Sequence, residues 1–184
     1  MRIFGVDPGS VHTGYGCIEK SGSRLRVLTS GAISPPVRAT FPEKLLMVYV
    51  GLSKLLKEHD PEVVAIEDLF YARNARSASK LGHVRGVAML AAAEAGMPVS
   101  EYLPTQVKQA VVGYGRAEKQ QVRDMVMLLL GLKNPPRKLD ASDALAVAIC
   151  HAHLVGSVET EVSLRSSKGV SRSWRRYRPD QIER

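Results

Sequence analysis

A single α/β domain, its sheet antiparallel at the start and parallel afterwards, is the fold class predicted by this 184-residue sequence. Three observations carry the prediction. Three apolar, β-type runs follow one another at the N-terminus with short Gly/Ser/His turns between them. From about residue 40 the apolar spacing becomes helical, and strand-like and helical segments then alternate. Hydrophobic residues make up 45% of the chain, enough for one full core without disulfide support.

Taken in order, residues 2–7, 14–20 and 25–33 are rich in Ile, Val and Leu and are expected as an antiparallel meander. "TFPEKLLMVYVGLSKLLKEH", Thr40 to about His59, predicts a helix with Leu45, Leu46, Tyr49, Leu52 and Leu56 on one side. Pro42 belongs in its first turn. "PEVVAIED", 61–68, is a short apolar run ending in acids and reads as a strand buried on both faces. Residues 77–96 predict a second helix, capped by Ser77 or Asn74 and stopped by Gly96. Its Gly82, Gly86 and alanines leave a face with little bulk, which suits close packing on the sheet or on a second subunit. "PVSEYLP", 98–104, is the fifth strand, and "TQVKQAVVG" a short helix after it. Residues 117–132 form another helix, "KNPPRKL", 133–139, a proline-broken basic loop, and 140–154 the last helix. Such an order places helices on both faces of a mixed five-stranded sheet. No repeat is visible, and no linker before about residue 157.

The formal charge of +8 is unevenly spread. Residues 165–184 hold seven Lys/Arg against Asp180 and Glu183, a net of +5, which leaves +3 for the other 164 residues. "RSSKGVSRSWRRYR" mixes Arg with Ser, Gly, one Trp and one Tyr and lacks periodicity. It reads as a flexible basic tail, either solubilising or able to pair with phosphates and stack on bases. The domain is accordingly expected over 1–156 and the tail over 157–184. Cys17 and Cys150 lie in apolar surroundings, which suits buried, reduced thiols. With no apolar run of membrane-spanning length and no signal-peptide pattern, a cytoplasmic protein is expected.

Four acids stand out by position. Asp7 ends the first strand and Glu67 the fourth, so a parallel pairing puts them side by side at the sheet edge where α/β folds bind ligands. Asp140 and Asp143 open the last helix three residues apart, on one side of its first turn. Each has a plainer explanation: helix caps for Asp140 and Asp143, a strand terminus for Glu67, a turn starter for Asp7. Independent caps and turns have no reason to converge, whereas a pair of Mg²⁺ or Mn²⁺ ions needs such a set of hard oxygen donors to act on a phosphodiester. His83, His151 and His153 lack the spacing and cysteine partners of a zinc site.

The segments "GVDPGSVHTGYG", "AIEDLFYARNARSASKLGHVRGVA", "QVKQAVVGYGRAEKQQV" and "DASDALAVAI" resemble the RuvC family of Holliday-junction resolvases, of the RNase H-like nuclease superfamily. The resemblance runs from residue 1 to about 155. It implies an RNase H-like sheet and a metal-dependent endonuclease that resolves four-way DNA junctions by symmetric paired nicks in recombination and repair. It also implies a homodimer built through helix 77–96 and a branch-migration motor as a further partner. Asp7, Glu67, Asp140 and Asp143 match the family's metal-binding acids, and Lys108 and Lys119 its basic residues at the cut. Phe70 matches a base-stacking aromatic, with Tyr71, Arg73 and Arg76 near the DNA path. The chain departs from the family's pattern at His12, in the turn after Gly9-Ser10, and in its long basic tail. Two other classes compete: an actin-like or sugar-kinase-like ATPase, since "DPGSVHTG" also resembles a phosphate loop, and a non-catalytic junction-binding module. The first needs a second domain and a second phosphate loop, for which the chain is too short.

Overall fold

In the computed structural model the described residues are 1–68, 75–136 and 138–166, with 156–166 described as backbone alone. Met1–Leu154 forms one compact unit and Val155–Arg184 a separate one. Strands β1 (Arg2–Asp7), β2 (Thr13–Ser21), β3 (Arg24–Ile33), β4 (Val63–Glu67) and β5 (Val99–Tyr102) make one sheet in the order β3-β2-β1-β4-β5. The β1–β2 and β2–β3 pairs are antiparallel, and the β1–β4 and β4–β5 pairs are parallel, as the sequence predicts. Helices α1 (Phe41–His59), α2 (Ala75–Glu94), α3 (Pro104–Val112), α4 (Lys119–Leu130) and α5 (Leu139–Ser166) complete the fold. Among the described residues no helix is long and apolar enough to cross a membrane.

Local chemistry explains most boundaries. Glu43 accepts a hydrogen bond from the Thr40 N–H at 2.7 Å, so α1 starts at the residue after Thr40, with Pro42 in its first turn. Gln106 and Gln121 do the same for the Leu103 and Glu118 amides ahead of α3 and α4. The predicted strand 98–104 is shorter than expected because Pro104 opens α3 instead; a proline at the first helical position gives up an amide that has no partner there anyway. The α2 helix is already formed at Ala75, so Ser77 lies inside it, while the alternative cap, Asn74, lies outside the described residues; the α5 backbone stays helical to Ser166, past residue 156.

Strand parity divides the core into two layers. Phe4, Val6, Cys17, Val64 and Ile66 point to α1 and α2 and pack with Val48, Leu52, Leu56, Val84 and Ala88. Ile3, Ile18, Val63 and Ala65 point the other way, to α5, α3 and α4, and pack with Val107, Val126, Leu145 and Ile149. Cys17 and Cys150 fall in opposite layers, both fully buried and unpaired. Burial pushes the Cys17 thiol up to about 11 and the Cys150 thiol up to about 12.

Candidate active site

Alternation along the strands puts Asp7, after Ile3 and Gly5, on the α5 face of β1. Glu67, after Val63 and Ala65, takes the same face of β4. The parallel register runs Ile3↔Val63 to Val6↔Ile66, so the two acids are next in line beside each other at the C-terminal ends of the central strands. Their side chains meet in a hydrogen bond.

The third contributor is α5, which lies directly on bare backbone. A Cβ added at Gly14 would fall on the Asp140 carbonyl oxygen, one at Gly5 on the Ala144 carbonyl, and one at Gly16 would stand 2.6 Å from the Leu145 side chain. Gly14 is the antiparallel partner of Asp7, so the first turn of α5 is held against the residue opposite the first acid. This close approach turns Asp140 and Asp143 from helix-cap candidates into neighbours of Asp7.

A cavity of about 310 Å³ opens here, lined by Asp7, Glu67 and Asp143, by Lys108 and Lys119, and by an apolar wall of Pro104, Val107, Val122 and Ala146. Asp140 stands outside that lining, yet its charge reaches Asp7. Lys119 Nζ stands 3.5 Å from Asp143 Oδ2, in an ion pair with the lysine largely in solvent. Burial, then repulsion by Asp143, raises the Asp7 carboxyl to about 6. Burial, then the charge and hydrogen bond of Asp7, raises Glu67 to about 8. The two carboxyls therefore titrate as a pair, both raised above their ordinary range, and a proton between them relieves their repulsion.

Among the described residues no three His, Cys, Asp or Glu side chains stand together as a ready-made metal cage. The chemistry of the donors explains why. Crowded carboxylates repel unless something neutralises them; a shared proton does so for Asp7 and Glu67, and Lys119 does so for Asp143. An all-oxygen donor set of this kind suits a hard divalent ion.

Of the remaining sequence-predicted site residues, Arg76 is exposed in the first turn of α2. Phe70, Tyr71 and Arg73 lie outside the described residues. His151 is buried, its Nδ1 paired with the Tyr102 hydroxyl at 2.7 Å, and His153 Nδ1 donates to the Ala110 carbonyl at 2.9 Å. One residue missed by sequence reasoning is Arg85. It pairs with Asp68 at 3.2 Å and with Glu101, tying α2 to the chain just beyond Glu67 and to β5. Only its place in "GHVRGVA", seventeen residues from Asp68, could have marked it, and spacing of that length carries no local signal.

The family model described as "Crossover junction endodeoxyribonuclease RuvC" matches residues 3–151. A protein of that description from Citrifermentans bemidjiense is 55% identical over 156 residues, covering 85% of this chain and 94% of the relative. Another, from Trichlorobacter lovleyi, is 48% identical over 182 residues, covering 97% of this chain and 100% of the relative. The solved structure "T. thermophilus RuvC in complex with Holliday junction substrate" superposes with a TM-score of 0.80 at 37% identity, over 84% of this chain and 94% of that one. A close structural superposition, a full-domain family match and relatives about half identical along nearly their whole length lead to one conclusion: this chain belongs to the RuvC family of crossover junction endodeoxyribonucleases.

Proposed function

We propose that the cavity between Asp7, Glu67 and Asp143 is where this crossover junction endodeoxyribonuclease hydrolyses the phosphodiester of a Holliday junction, in DNA recombination and repair. The observation that carries the reading is the hydrogen-bonded Asp7–Glu67 pair at the ends of two parallel strands, with Asp143 and two lysines around the same space. Asp7, Glu67, Asp140 and Asp143 would hold two Mg²⁺ ions, with Mn²⁺ able to substitute. Such a pair of ions supplies activation of water for in-line attack and stabilisation of the departing 3′ oxygen.

The chain's own residues do the rest. For the ions to bind, the proton shared by Asp7 and Glu67 would have to leave to solvent, and both carboxylates would then serve as oxygen donors. Lys119, which pairs with Asp143 here, and Lys108 would offset charge on the scissile phosphate. Pro104, Val107, Val122 and Ala146 keep one wall dry, which strengthens each of these charge interactions. Phe70, three residues beyond Glu67, is proposed to stack on a base at the crossover, with Tyr71, Arg73 and Arg76 beside the DNA. Residues 1–156 are the proposed nuclease domain, and the cationic stretch 165–184 adds contact to DNA.

Paired nicks on strands of like polarity call for two sites related by a two-fold axis, hence a homodimer. The α1–α2 face supports that. Its groove is lined by Leu45, Ser79, Gly82, His83, Gly86, Val87 and Leu90, and Leu46, Val50 and Leu90 are each more than half exposed.

The deciding test is incubation of a synthetic four-way junction with Mg²⁺ or with EDTA, beside linear duplex. Symmetric nicks confined to the junction and requiring the ion are expected. Asp7→Asn abolishes cutting and keeps junction binding, since a repelling charge is removed. Cutting by Asp7→Asn at the wild-type rate would overturn the assignment.

A further inference from the structure

One cluster of donors remains outside the acid cavity. Ser34 follows the last residue of β3, and Ile33 pairs with Thr13, so Ser34 sits beside His12 at the same sheet end as Asp7. Lys138 lies two residues before Asp140. Its Nζ donates to Ser34 Oγ at 2.8 Å, and the same hydroxyl pairs with His12 Nδ1 at 2.9 Å. Three segments far apart in the chain thus meet on one serine oxygen.

The pattern leaves donors to spare. An ammonium has three N–H bonds, of which Ser34 takes one. With the lysine donating to Oγ, the serine hydrogen is free for Nδ1, and the His12 Nε2–H is left for another acceptor. No carboxylate among the described residues lies within ion-pairing distance of Lys138, although Lys119 has one in Asp143. None of the three residues lines the acid cavity. Lys108 reaches that cavity from α3, which follows the edge strand β5; Ser34 follows the opposite edge strand, β3. A single strand laid across Asp7 and Glu67 from the Lys108 side therefore runs on toward Ser34.

We infer that Lys138, His12 and Ser34 form a phosphate subsite that grips the strand being cut at the phosphate next to the scissile one. The inference rests on the acid cavity being the place of cleavage. Bound there, a phosphate oxygen takes the two free lysine donors and the His12 Nε2–H, while Ser34 fixes both side chains beforehand. Such a contact adds affinity and register, and carries no sequence preference.

The test uses the full-length protein and four-way junctions, one carrying a neutral methylphosphonate beside the cut. Lys138→Ala is expected to weaken junction binding about five-fold and to lower the slope of log affinity against log salt by about one. Ser34→Ala gives a smaller loss, because both donors remain but are no longer tied. The methylphosphonate costs the wild type what the Lys138→Ala change costs on normal DNA, and the two together cost no more than either alone. Wild-type affinity and salt slope in Lys138→Ala, or fully additive losses, would overturn the subsite. Metal-dependent nicking by the wild type reads out the cleavage assignment separately. A wild type that nicks beside a Lys138→Ala variant that binds normally sinks the subsite alone.

Discussion

Glycines line both faces of the sheet-and-helix stack, and they do opposite things. On the α5 face, any side-chain carbon at Gly5, Gly14 or Gly16 would collide with the helix lying on it. On the α1–α2 face, Gly82 and Gly86 have nothing within 4 Å of where their side chains would begin. The first set is spent inside the molecule, bringing two aspartates to a third acid. The second leaves a hollow about 560 Å³ in volume lined by half-buried Leu45 and Val87 and exposed Leu90. The same residue type therefore serves close packing on one side and leaves open surface on the other, the surface proposed above for the two-fold contact, and the surroundings rather than the residue decide which.

That contrast can be broken most severely at Gly14. Gly14→Ala forces the first turn of α5 to move, and about 3 kcal/mol of stability should go with it, by analogy with overpacked cores. Because a misplacement near 1 Å costs about 100-fold in rate, single-turnover cleavage should fall by at least that factor even where the variant is folded. Wild-type denaturation midpoint and rate would show that the close approach is dispensable. Gly86→Leu sharpens the other half of the comparison. It should leave the monomer folded, since leucine is the better helix former, yet weaken self-association about tenfold or more, read by sedimentation at several concentrations. Self-association unaffected by the substitution, or absent from the wild type, would overturn the proposed two-fold contact at this face.

The smallest effect concerns charge. Glu67 holds its proton up to about pH 8 in the folded chain, against 4.5 as its ordinary value, so the folded state binds the proton more tightly than the unfolded one. Folding stability without metal should therefore fall as pH rises from about 4.5 to 8, as the unfolded chain ionises first. In EDTA, Glu67→Gln should melt higher than wild type, with the gap widening by about 3 °C between pH 6 and pH 7. A gap that ignores pH would mean that the pair is already solvated.

How much of this could be read beforehand follows the range of the interactions involved. Asp7 and Glu67 were legible because an apolar run ending in an acid is a local pattern, and parallel pairing does the rest. Asp140 and Asp143 were legible as a helix start, but their approach to Asp7 depends on Gly14, which in sequence reads as a strand beginning. The Ser34–Lys138 contact spans 104 residues and Arg85–Asp68 depends on the α2–β4 packing, so neither leaves a mark in any window. Chain ends of elements failed where one residue could serve two elements, as Pro104 does between β5 and α3.

The two thiols offer a way to time these layers apart. Cys17 sits under α1 and α2, and Cys150 within the α5 layer, and neither is ionised enough to react while covered. An alkylating reagent can reach each sulfur only during an opening event. Labelling rates at the two positions thus clock how often each half of the protein breathes, and equal rates would mean that both halves come apart together.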